Sequence, residues 1–527
     1  MTYLMALDAG TGSGRCVVFD EDGNQLAVGQ REWTHKSVPE YPGSAVFDTQ
    51  ENWKLLRECI KEALSRSKVP RGEIAGVSAT SMREGIVLYD DRGNEIWACP
   101  NIDARANEEA TQLIEKGLAQ VIYRMSGHWP NIIAPPRIMW IRKHQPDVWK
   151  RISNMTMLSD WVLYKLCGVF STDPSCGSSS GMFDLAKRTW SEEIAEICGL
   201  PREVLPDVHE SGVIIGEVTD EAARETGLKK GTPVATGGAD SQLGVIGVGG
   251  VQPLMNTLIG GSFWQQTVIV DEPIVDKQER LRTVCHVIPG QFYIEGIGFY
   301  CGIAMRWFRD AFCEQEKEEA REKGVDPYYI LENKAENVPP GSNGVLAIGS
   351  DIMNVKKWLF ASPSFIQFDV MAPDKSGKNE CFRALQENAA YVSKGNYEII
   401  WDVVGFRPDQ STEITFCGGA AKGFLWPQIV SDVVGIPLRI PAVKEATALG
   451  AAICAGVGVG VYDSISKAAT MIVRWEREIQ PDTVNHARYT RYYDTWRRVY
   501  PRFLQMVEDG LLLPMYRAPG VQTPSRS

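Results

Sequence analysis

The stretch Leu4-Met-Ala-Leu-Asp8-Ala-Gly10-Thr11-Gly12-Ser13-Gly14-Arg15-Cys-Val-Val-Phe19 decides the fold. Its apolar ends, residues 4–7 and 16–19, have the length and composition of buried strands. The loop between them is rich in glycine and hydroxyl side chains, and it joins two strands instead of opening a helix. A glycine-rich turn exposes backbone N–H groups that suit an anion such as phosphate. Taken alone, the loop fits an ordinary glycine hairpin as well as a phosphate-binding one.

Two common phosphate motifs do not fit this loop. A Walker loop ends in Gly-Lys-Ser/Thr, and the nearest match, at residues 377–379, lies in the wrong context. A dinucleotide fingerprint needs a third glycine and a following helix, whereas Arg15 holds that third position and a hairpin follows. The hairpin loop of actin-like ATPases needs an acid for hydrated Mg²⁺, glycines for close approach, and hydroxyl or cationic groups for the phosphates. Those roles fit Asp8, Gly10, Thr11, Ser13 and Arg15.

The same pattern returns later in the chain. Apolar residues at helical spacing over 52–65 and a buried strand over 74–79 indicate an α/β protein. A strand over 255–259, the small-residue turn Gly260-Gly261-Ser262 and a strand over 264–270 repeat the opening, which predicts an internal duplication. A third turn, Gly418-Gly419-Ala420, follows a strand over 413–416. The glycine-rich segment 244–253 predicts the boundary between an N-terminal lobe, 1–249, and a C-terminal lobe, 250–515, followed by a tail, 516–527.

Three charged residues stand at strand ends. Asp240 ends the stretch Val234-Ala-Thr-Gly-Gly-Ala-Asp240 and is a candidate base for an acceptor hydroxyl in phosphoryl transfer. The alternative is a helix cap before residues 241–245. Arg83 and Glu84 follow another strand and are candidates to bind substrate hydroxyls or carbonyls. Their alternative is a solvated ion pair of little energetic value.

Composition narrows the choice of partners. The 527 residues carry 55 Lys and Arg against 66 Asp and Glu, a net charge of −11, which argues against a nucleic-acid partner.

The 12 cysteines show no metal-ligand spacing, and the first eight residues lack a signal-peptide pattern. The uncharged segment 446–462 is short for a membrane span and contains four glycines, so it is interpreted as a buried helix. A cytoplasmic protein without a membrane partner is expected.

These motifs together resemble the FGGY family of carbohydrate kinases over nearly the whole chain. The matching segments are the first loop, Gly237-Gly-Ala-Asp240, Cys417-Gly-Gly-Ala-Ala-Lys-Gly-Phe-Leu-Trp-Pro-Gln428 and Glu445-Ala-Thr-Ala-Leu-Gly450. The resemblance implies two actin-like (ribonuclease H-like) ATPase lobes with a nucleotide cleft between them, ATP and Mg²⁺ as cofactors, and a small-molecule substrate. It implies Asp240 as catalytic base and Asp8 and Asp240 as metal ligands. The substrate-binding residues would be Arg83, Glu84, Asp103, Asp240, Ser241 and Gln242. The nucleotide-binding residues would be Asp8, Gly10, Thr11, Ser13, Arg15, Gly260, Gly261, Ser262, Gly418, Gly419 and Ala420.

Segments 81–89, 101–105, 260–266 and 305–313 resemble a subgroup of this family. This resemblance implies that the substrate is the linear form of a quorum-sensing signal, 4,5-dihydroxy-2,3-pentanedione, and that its terminal hydroxyl is phosphorylated. Ile102 replaces a tryptophan frequent in sugar kinases, and residues 132–133 lack the aromatic hydroxyl of glycerol kinases. Two alternatives stay open: a kinase for a ketose or polyol such as xylulose or glycerol, and an actin-like ATPase used as a binding switch without phosphoryl transfer. No feature of the sequence identifies a protein regulator.

Overall fold

The computed structural model of the protein describes residues 2–521. Two large mixed β-sheets dominate it, with helices on their faces. The first sheet has six strands, in the spatial order β12-β13-β4-β1-β2-β3. These strands are β1 (Tyr3–Ala9), β2 (Ser13–Asp20), β3 (Gln25–Glu32), β4 (Ile74–Ser81), β12 (Ile214–Glu217) and β13 (Pro233–Ala239).

The second sheet has seven strands, in the order β23-β22-β21-β14-β15-β17-β16. They are β14 (Asn256–Gly260), β15 (Trp264–Val270), β16 (Arg282–Cys285), β17 (Phe292–Gly298), β21 (Ile414–Cys417), β22 (Leu438–Pro441) and β23 (Trp475–Ile479). In both sheets the opening strand pairs antiparallel with the next strand and parallel with a later one, which is followed by a second parallel strand and an antiparallel edge. This shared topology confirms the predicted internal duplication.

The remaining strands of the described residues form five small sheets. Four of them are β5 (Ile86–Tyr89) with β6 (Glu95–Cys99) and β7 (Asn154–Met157); β8 (Ser171–Thr172) with β11 (Asp207–Val208); β9 (Phe183–Asp184) with β10 (Thr189–Trp190); and β18 (Leu346–Ile348) with β20 (Ser364–Ile366). A further pair joins β19 (Leu359–Ala361) to β24 (Pro514–Arg517).

The helices cover the faces of these sheets. They are α1 (Thr49–Ser67), α2 (Asn107–Glu115), α3 (Leu118–Ser126), α4 (Ala134–His144), α5 (Pro146–Trp149), α6 (Leu158–Cys167), α7 (Pro174–Ser179), α8 (Glu192–Cys198), α9 (Asp220–Thr226), α10 (Asp240–Gly247), α11 (Cys301–Phe312), α12 (Glu314–Lys323), α13 (Pro327–Ala335), α14 (Lys378–Val404), α15 (Leu425–Val434), α16 (Ala446–Gly458), α17 (Ile465–Ile472) and α18 (Thr483–Glu508).

Strand β1 is apolar on both faces because helices cover both. Met5 and Leu7 share a buried cluster with α1, whose Leu56 and Ile60 lie on the face predicted from the helical spacing. On the opposite face, Leu4 packs with α16. Side chains alternate across a strand, so continuous apolar sequence requires a cover on each side. The helices on both faces of β1 therefore explain why residues 4–7 are continuously apolar.

Helix α16 comes from the C-terminal half of the chain but packs on β1, β4 and α10. Its residues 448–456 are all buried, which confirms the interpretation of the uncharged segment as a buried helix. Across residues 2–521, no helix combines the length and apolar character needed to cross a bilayer. The predicted boundary at residue 249 falls between the last strand of the first sheet and the first strand of the second, and α16 covers the first sheet from beyond it.

The chain end departs from the expected tail. Residues 514–517 form β24, which pairs antiparallel with β19. The Tyr516 ring packs against Phe299, with ring centroids 4.2 Å apart. Residues 516 and 517, expected in the tail, thus belong to the second half of the fold because an aromatic side chain anchors them. Residues 522–527 of the expected tail lie outside the described residues.

Candidate active site

The first glycine loop, residues 10–12, is the turn of the predicted hairpin between β1 and β2. Donors from the following segment hold its carbonyl groups: Trp33 Nε1 donates to Gly10 O at 3.0 Å, and Trp33 N donates to Gly12 O at 3.1 Å. The His35 ring nitrogen lies 2.7 Å from Thr11 O. Thr11 Oγ1 accepts a hydrogen bond from Asn101 at 3.2 Å. The loop is therefore fixed from one side, with Thr11 exposed on the other.

Asp8 is the penultimate residue of β1 and lies near two further acids, Asp240 and Glu445. Arg15 Nη1 is 4.0 Å from Asp8 Oδ2 and 3.3 Å from Glu445 Oε2, just before α16. Burial raises the pKa of Asp8 to about 7, against the lowering effect of Arg15, and the charges of Asp240 and Glu445 raise it further. Asp8 Oδ1 is buried without a hydrogen-bond partner among the described residues. An orphaned carboxylate oxygen facing other acids suits a divalent cation, because Mg²⁺ prefers oxygen ligands. Asp8 and Asp240 therefore fit the expected metal.

Asp240 is the first residue of α10, directly after β13. The backbone N–H of Ser241 donates to Asp240 Oδ1 at 2.7 Å. Burial raises the pKa of Asp240 to about 6; Arg83 opposes this rise, and Glu84 and Glu295 add to it. Unlike its neighbours Ser241 and Gln242, Asp240 keeps partial exposure. A reachable carboxylate with a pKa near neutrality has the properties of a general base.

Arg83 and Glu84 belong to a buried network of four charges between the two sheets. Arg83 Nη1 donates to Glu295 Oε1 at 2.8 Å, and Arg282 Nη1 donates to Glu84 Oε1 at 2.9 Å. Arg282 also lies 3.6 Å from Glu295. The pair is therefore not the solvated strand-end pair of the alternative interpretation, since each member pairs with a residue from the second sheet.

The backbone at Glu84 is strained. Its φ of +60° lies in the left-handed region, which costs a residue other than glycine about 1–3 kcal/mol. Arg137 holds this conformation by donating to the Glu84 carbonyl, and its Nη2 also donates to the carbonyls of Asn101 and Asp103 at 2.8 Å. One buried guanidinium thus ties the turn that carries Glu84 to the segment that carries Asp103.

Asp103 and Gln242 were expected to bind substrate, and in the structure their polar groups bond mainly to protein. Asp103 is buried and pairs with Arg105 at 2.6 Å, and it accepts from the Ala45 N–H at 2.8 Å. Gln242 has no exposed surface, and its amide donates to Ser175 O at 3.3 Å and Cys285 O at 3.5 Å. Ser241 Oγ lies 2.8 Å from the Tyr293 hydroxyl. The named polar atoms of these three residues bond to protein, whereas Asp103 Oδ1 is buried without a hydrogen-bond partner among the described residues.

A cavity of about 770 Å³ lies at the second and third small-residue turns. Five of the predicted nucleotide residues line it: Gly260, Gly261, Ser262, Gly419 and Ala420. Gly418 joins the two turns, because its φ is +92° and a Cβ there would lie 2.7 Å from Gly260 O. Aromatic residues and Arg306, which donates to Ser262 Oγ at 3.3 Å, complete the walls. Size and lining suit an adenosine. The first-loop residues Asp8 to Arg15 are not among the lining residues.

Arg282, Glu295 and Glu445 belong to the site but were not predicted from the sequence. A signal existed for Glu295, because it is a single charge inside the otherwise apolar strand β17. Charged residues are almost never fully buried unless they are paired. No spacing rule shows that their partners are Arg83 and Glu84, some 200 residues earlier.

Comparison with known proteins agrees with this geometry. The model for the N-terminal domain of the FGGY family of carbohydrate kinases matches residues 3–247, and the model for its C-terminal domain matches residues 267–459. A protein of Yersinia enterocolitica named autoinducer-2 kinase is 48% identical over 522 residues, which cover 98% of each chain. One of the same name from Escherichia coli is 47% identical, with the same coverage.

Solved structures show the same fold. The crystal structure of xylulose kinase from Rhodospirillum rubrum superposes with a TM-score of 0.82 and 25% identity, covering 95% of this chain and 99% of that one. Plasmodium falciparum glycerol kinase with ADP superposes with a TM-score of 0.81 and 18% identity, covering 95% and 98%. The second likeness shows the fold alone.

The fold and site are those of an ATP-dependent small-molecule kinase. They comprise two lobes with the same sheet topology, a cavity of nucleotide size, and the partly exposed Asp240 carboxylate beside a buried charge network. The chain belongs to the FGGY family of carbohydrate kinases. The actin-like two-lobe α/β fold and ATP as phosphate donor, both expected from the sequence, are confirmed by this membership.

Proposed function

We propose that the protein transfers the γ-phosphoryl group of ATP to the terminal hydroxyl of linear 4,5-dihydroxy-2,3-pentanedione, the open form of autoinducer-2. The observation that carries this proposal is whole-chain similarity: curated autoinducer-2 kinases are 45–48% identical over 98% of the chain. The segments quoted above for this substrate also lie at the site. Residues 83 and 84 carry half of the charge network, and residues 305 and 306 line the nucleotide cavity.

The charge network matches the chemistry of this substrate. Two adjacent carbonyl groups only accept hydrogen bonds, and guanidinium groups only donate them. Arg282 Nη2 and Glu295 Oε2 are buried without a hydrogen-bond partner among the described residues. In the proposal, Arg83 and Arg282 bind the dicarbonyl end, while Glu84 and Glu295 accept bonds from its hydroxyl groups.

Asp240 acts as the base. Its carboxylate accepts the proton of the terminal hydroxyl as the oxygen attacks phosphorus, while the Ser241 N–H holds Oδ1 in place. Asp8 and Asp240 would hold Mg²⁺, which would neutralise phosphate charge. Arg15 and the loop N–H groups orient the phosphates, and the cavity beside Gly260 and Ala420 holds the adenosine.

Steady-state kinetics with purified protein test the substrate. We expect ADP release with dihydroxypentanedione and ATP, together with a product heavier by one phosphoryl group in mass spectrometry, and much lower kcat/KM with xylulose or glycerol. Turnover with xylulose or glycerol but none with dihydroxypentanedione would identify a ketose or polyol kinase instead. ATP hydrolysis without phosphorylation of any of the three alcohols would favour a binding switch.

The acid limb of the pH profile should lie unusually high. Asp240 must be ionised to accept a proton, and its pKa is raised to about 6, so kcat/KM should fall about tenfold per pH unit below that value and level off above it. Asp8, raised to about 7, contributes to the same limb, and Mg²⁺ bound by the two carboxylates would shift the limb to lower pH. Initial rates between pH 4.5 and 8.5 at several free Mg²⁺ concentrations and constant ionic strength measure the limb. Full activity maintained down to pH 4.5 at the lowest Mg²⁺ concentration would contradict it.

A further inference from the structure

Helix α7 carries a row of buried serines that the sequence analysis did not single out. Ser175, Ser178, Ser179 and Ser180 are 0% exposed. Ser179 Oγ donates within its own turn, to Cys176 O at 2.7 Å, and Ser180 Oγ, at the end of the helix, donates to Gly177 O at 2.6 Å and accepts from Met182 N at 3.0 Å. The other two also accept bonds from outside the helix. The row therefore includes hydroxyl groups that bond within α7 and hydroxyl groups that bond to other elements.

Ser175 contacts the strand that ends at the proposed base. Its Oγ accepts from the backbone N–H of Ala239 at 3.0 Å, and Ala239 immediately precedes Asp240. Gly238 makes this approach feasible, because a Cβ at that position would lie 2.7 Å from Ser175 Oγ. The end of β13 is thus held by a side chain from α7.

Asp173 fixes the direction of this contact. Ser175 Oγ donates its proton to Asp173 Oδ1 at 2.5 Å, so its lone pairs face the Ala239 N–H. Asp173 also accepts from the N–H groups of Ser175 and Cys176. Burial raises the pKa of Asp173, and the hydrogen bonds from Ser175 and Cys176 oppose that rise. The acceptor at Ser175 is therefore preorganised.

The same helix reaches the second sheet. Ser178 Oγ accepts from the Cys285 N–H at 3.0 Å, on the strand that carries Arg282. The amide of Gln242 donates to both Ser175 O and Cys285 O. Helix α7 thus links the residue before Asp240 to the strand that carries Arg282, one of the four charges of the network.

We propose that Ser175 is a positioning residue for Asp240: it fixes the Ala239 peptide, and with it the carboxylate, relative to the substrate end of the site. The proposal rests on the proposed function only in taking Asp240 as the base. Ser175 touches neither substrate nor nucleotide, so its loss displaces the base without altering the ATP cavity.

The test is Ser175→Ala, compared with wild type in kcat, KM and ADP affinity. Removing the acceptor leaves the Ala239 N–H unpaired beside the base, and a displacement of about 1 Å in a reacting group can cost about 100-fold. We expect kcat to fall about 10- to 100-fold. KM for ATP and the Kd for ADP should stay within about twofold of wild type, as expected when binding contacts are kept. A merely structural lesion would weaken nucleotide binding along with kcat.

Ser179→Ala is the matched control, because it removes an equally buried hydroxyl that bonds only inside α7; its kcat should stay within about twofold of wild type on the same reasoning. Ser175→Cys keeps the size and a weak acceptor, and should recover part of the lost kcat even if the alanine variant folds poorly. Wild-type kcat in Ser175→Ala, or equal losses in both alanine variants, would overturn the proposal. The ratios of variant to wild-type kcat are measured with whichever alcohol the wild type phosphorylates, or with ATP hydrolysis. A wrong substrate proposal is therefore detected in the wild-type enzyme, separately from the test of Ser175.

Discussion

Asp240→Asn should lower kcat by about 10³- to 10⁴-fold while ADP still binds. Asparagine keeps the size and can still accept from the Ser241 N–H, so the start of α10 is preserved. It cannot take up the proton of the acceptor hydroxyl, and it removes one charge from the proposed Mg²⁺ ligands. Pre-steady-state product formation and calorimetric titration with ADP separate these effects.

Asp220→Asn is the matched control for this variant. Asp220 is also the first residue of its helix, α9, but it is exposed and pairs with Lys230 on the surface at 2.7 Å. Its replacement should leave kcat unchanged. An Asp240→Asn enzyme with near wild-type kcat would show that Asp240 is not the base, whatever the substrate.

Glu295→Gln should reduce stability more than any surface replacement. Two guanidinium and two carboxylate groups balance in the buried network, and the variant leaves one positive charge uncompensated. Breaking a buried ion pair in this way costs about 3–5 kcal/mol. Because a two-lobed protein need not unfold in one step, the measurement is the midpoint of each urea transition, followed by fluorescence and circular dichroism.

Two comparisons interpret that result. Asp220→Asn breaks an exposed pair and should shift the midpoints little, because such pairs are worth about 0–1 kcal/mol. Arg282→Met combined with Glu295→Met removes one charge of each sign and should recover much of the stability, since apolar replacements of buried pairs are often neutral. Its KM for dihydroxypentanedione should nevertheless rise. Unchanged midpoints in Glu295→Gln would mean that the network is not desolvated.

Local patterns were enough to predict the hairpin loops and the duplication. The loop around Gly10 and the turn at Gly260 are defined by strands within a few residues on either side, so composition and spacing carry the information. The third turn, at Gly418, was found from the strand before it, and a short 3-10 helix follows it instead of a second strand. Asp240 was found because a strand end beside two glycines is a local feature, although its role stays a prediction.

Long-range partners could not be predicted in the same way. The pairing of Glu84 with Arg282 joins residues 198 apart, and that of Arg83 with Glu295 joins residues 212 apart. Asp103 and Gln242 were assigned to the substrate by resemblance, whereas their bonds to Arg105 and to the Ser175 and Cys285 carbonyls depend on packing. Ser175 itself gave no signal, because a serine in a small-residue segment is common in loops and caps.

The position of α16 has a consequence for how the polypeptide matures on the ribosome. The face of β1 that bears Leu4 is completed only by residues near 450, so it stays uncovered until most of the chain has been synthesised. Contacts so distant in sequence are slow to form, and an uncovered apolar sheet is prone to aggregate meanwhile. Strand β1 is thus synthesised well before the helix that completes its cover, and this order predicts that the nascent chain is prone to aggregate until α16 has been made.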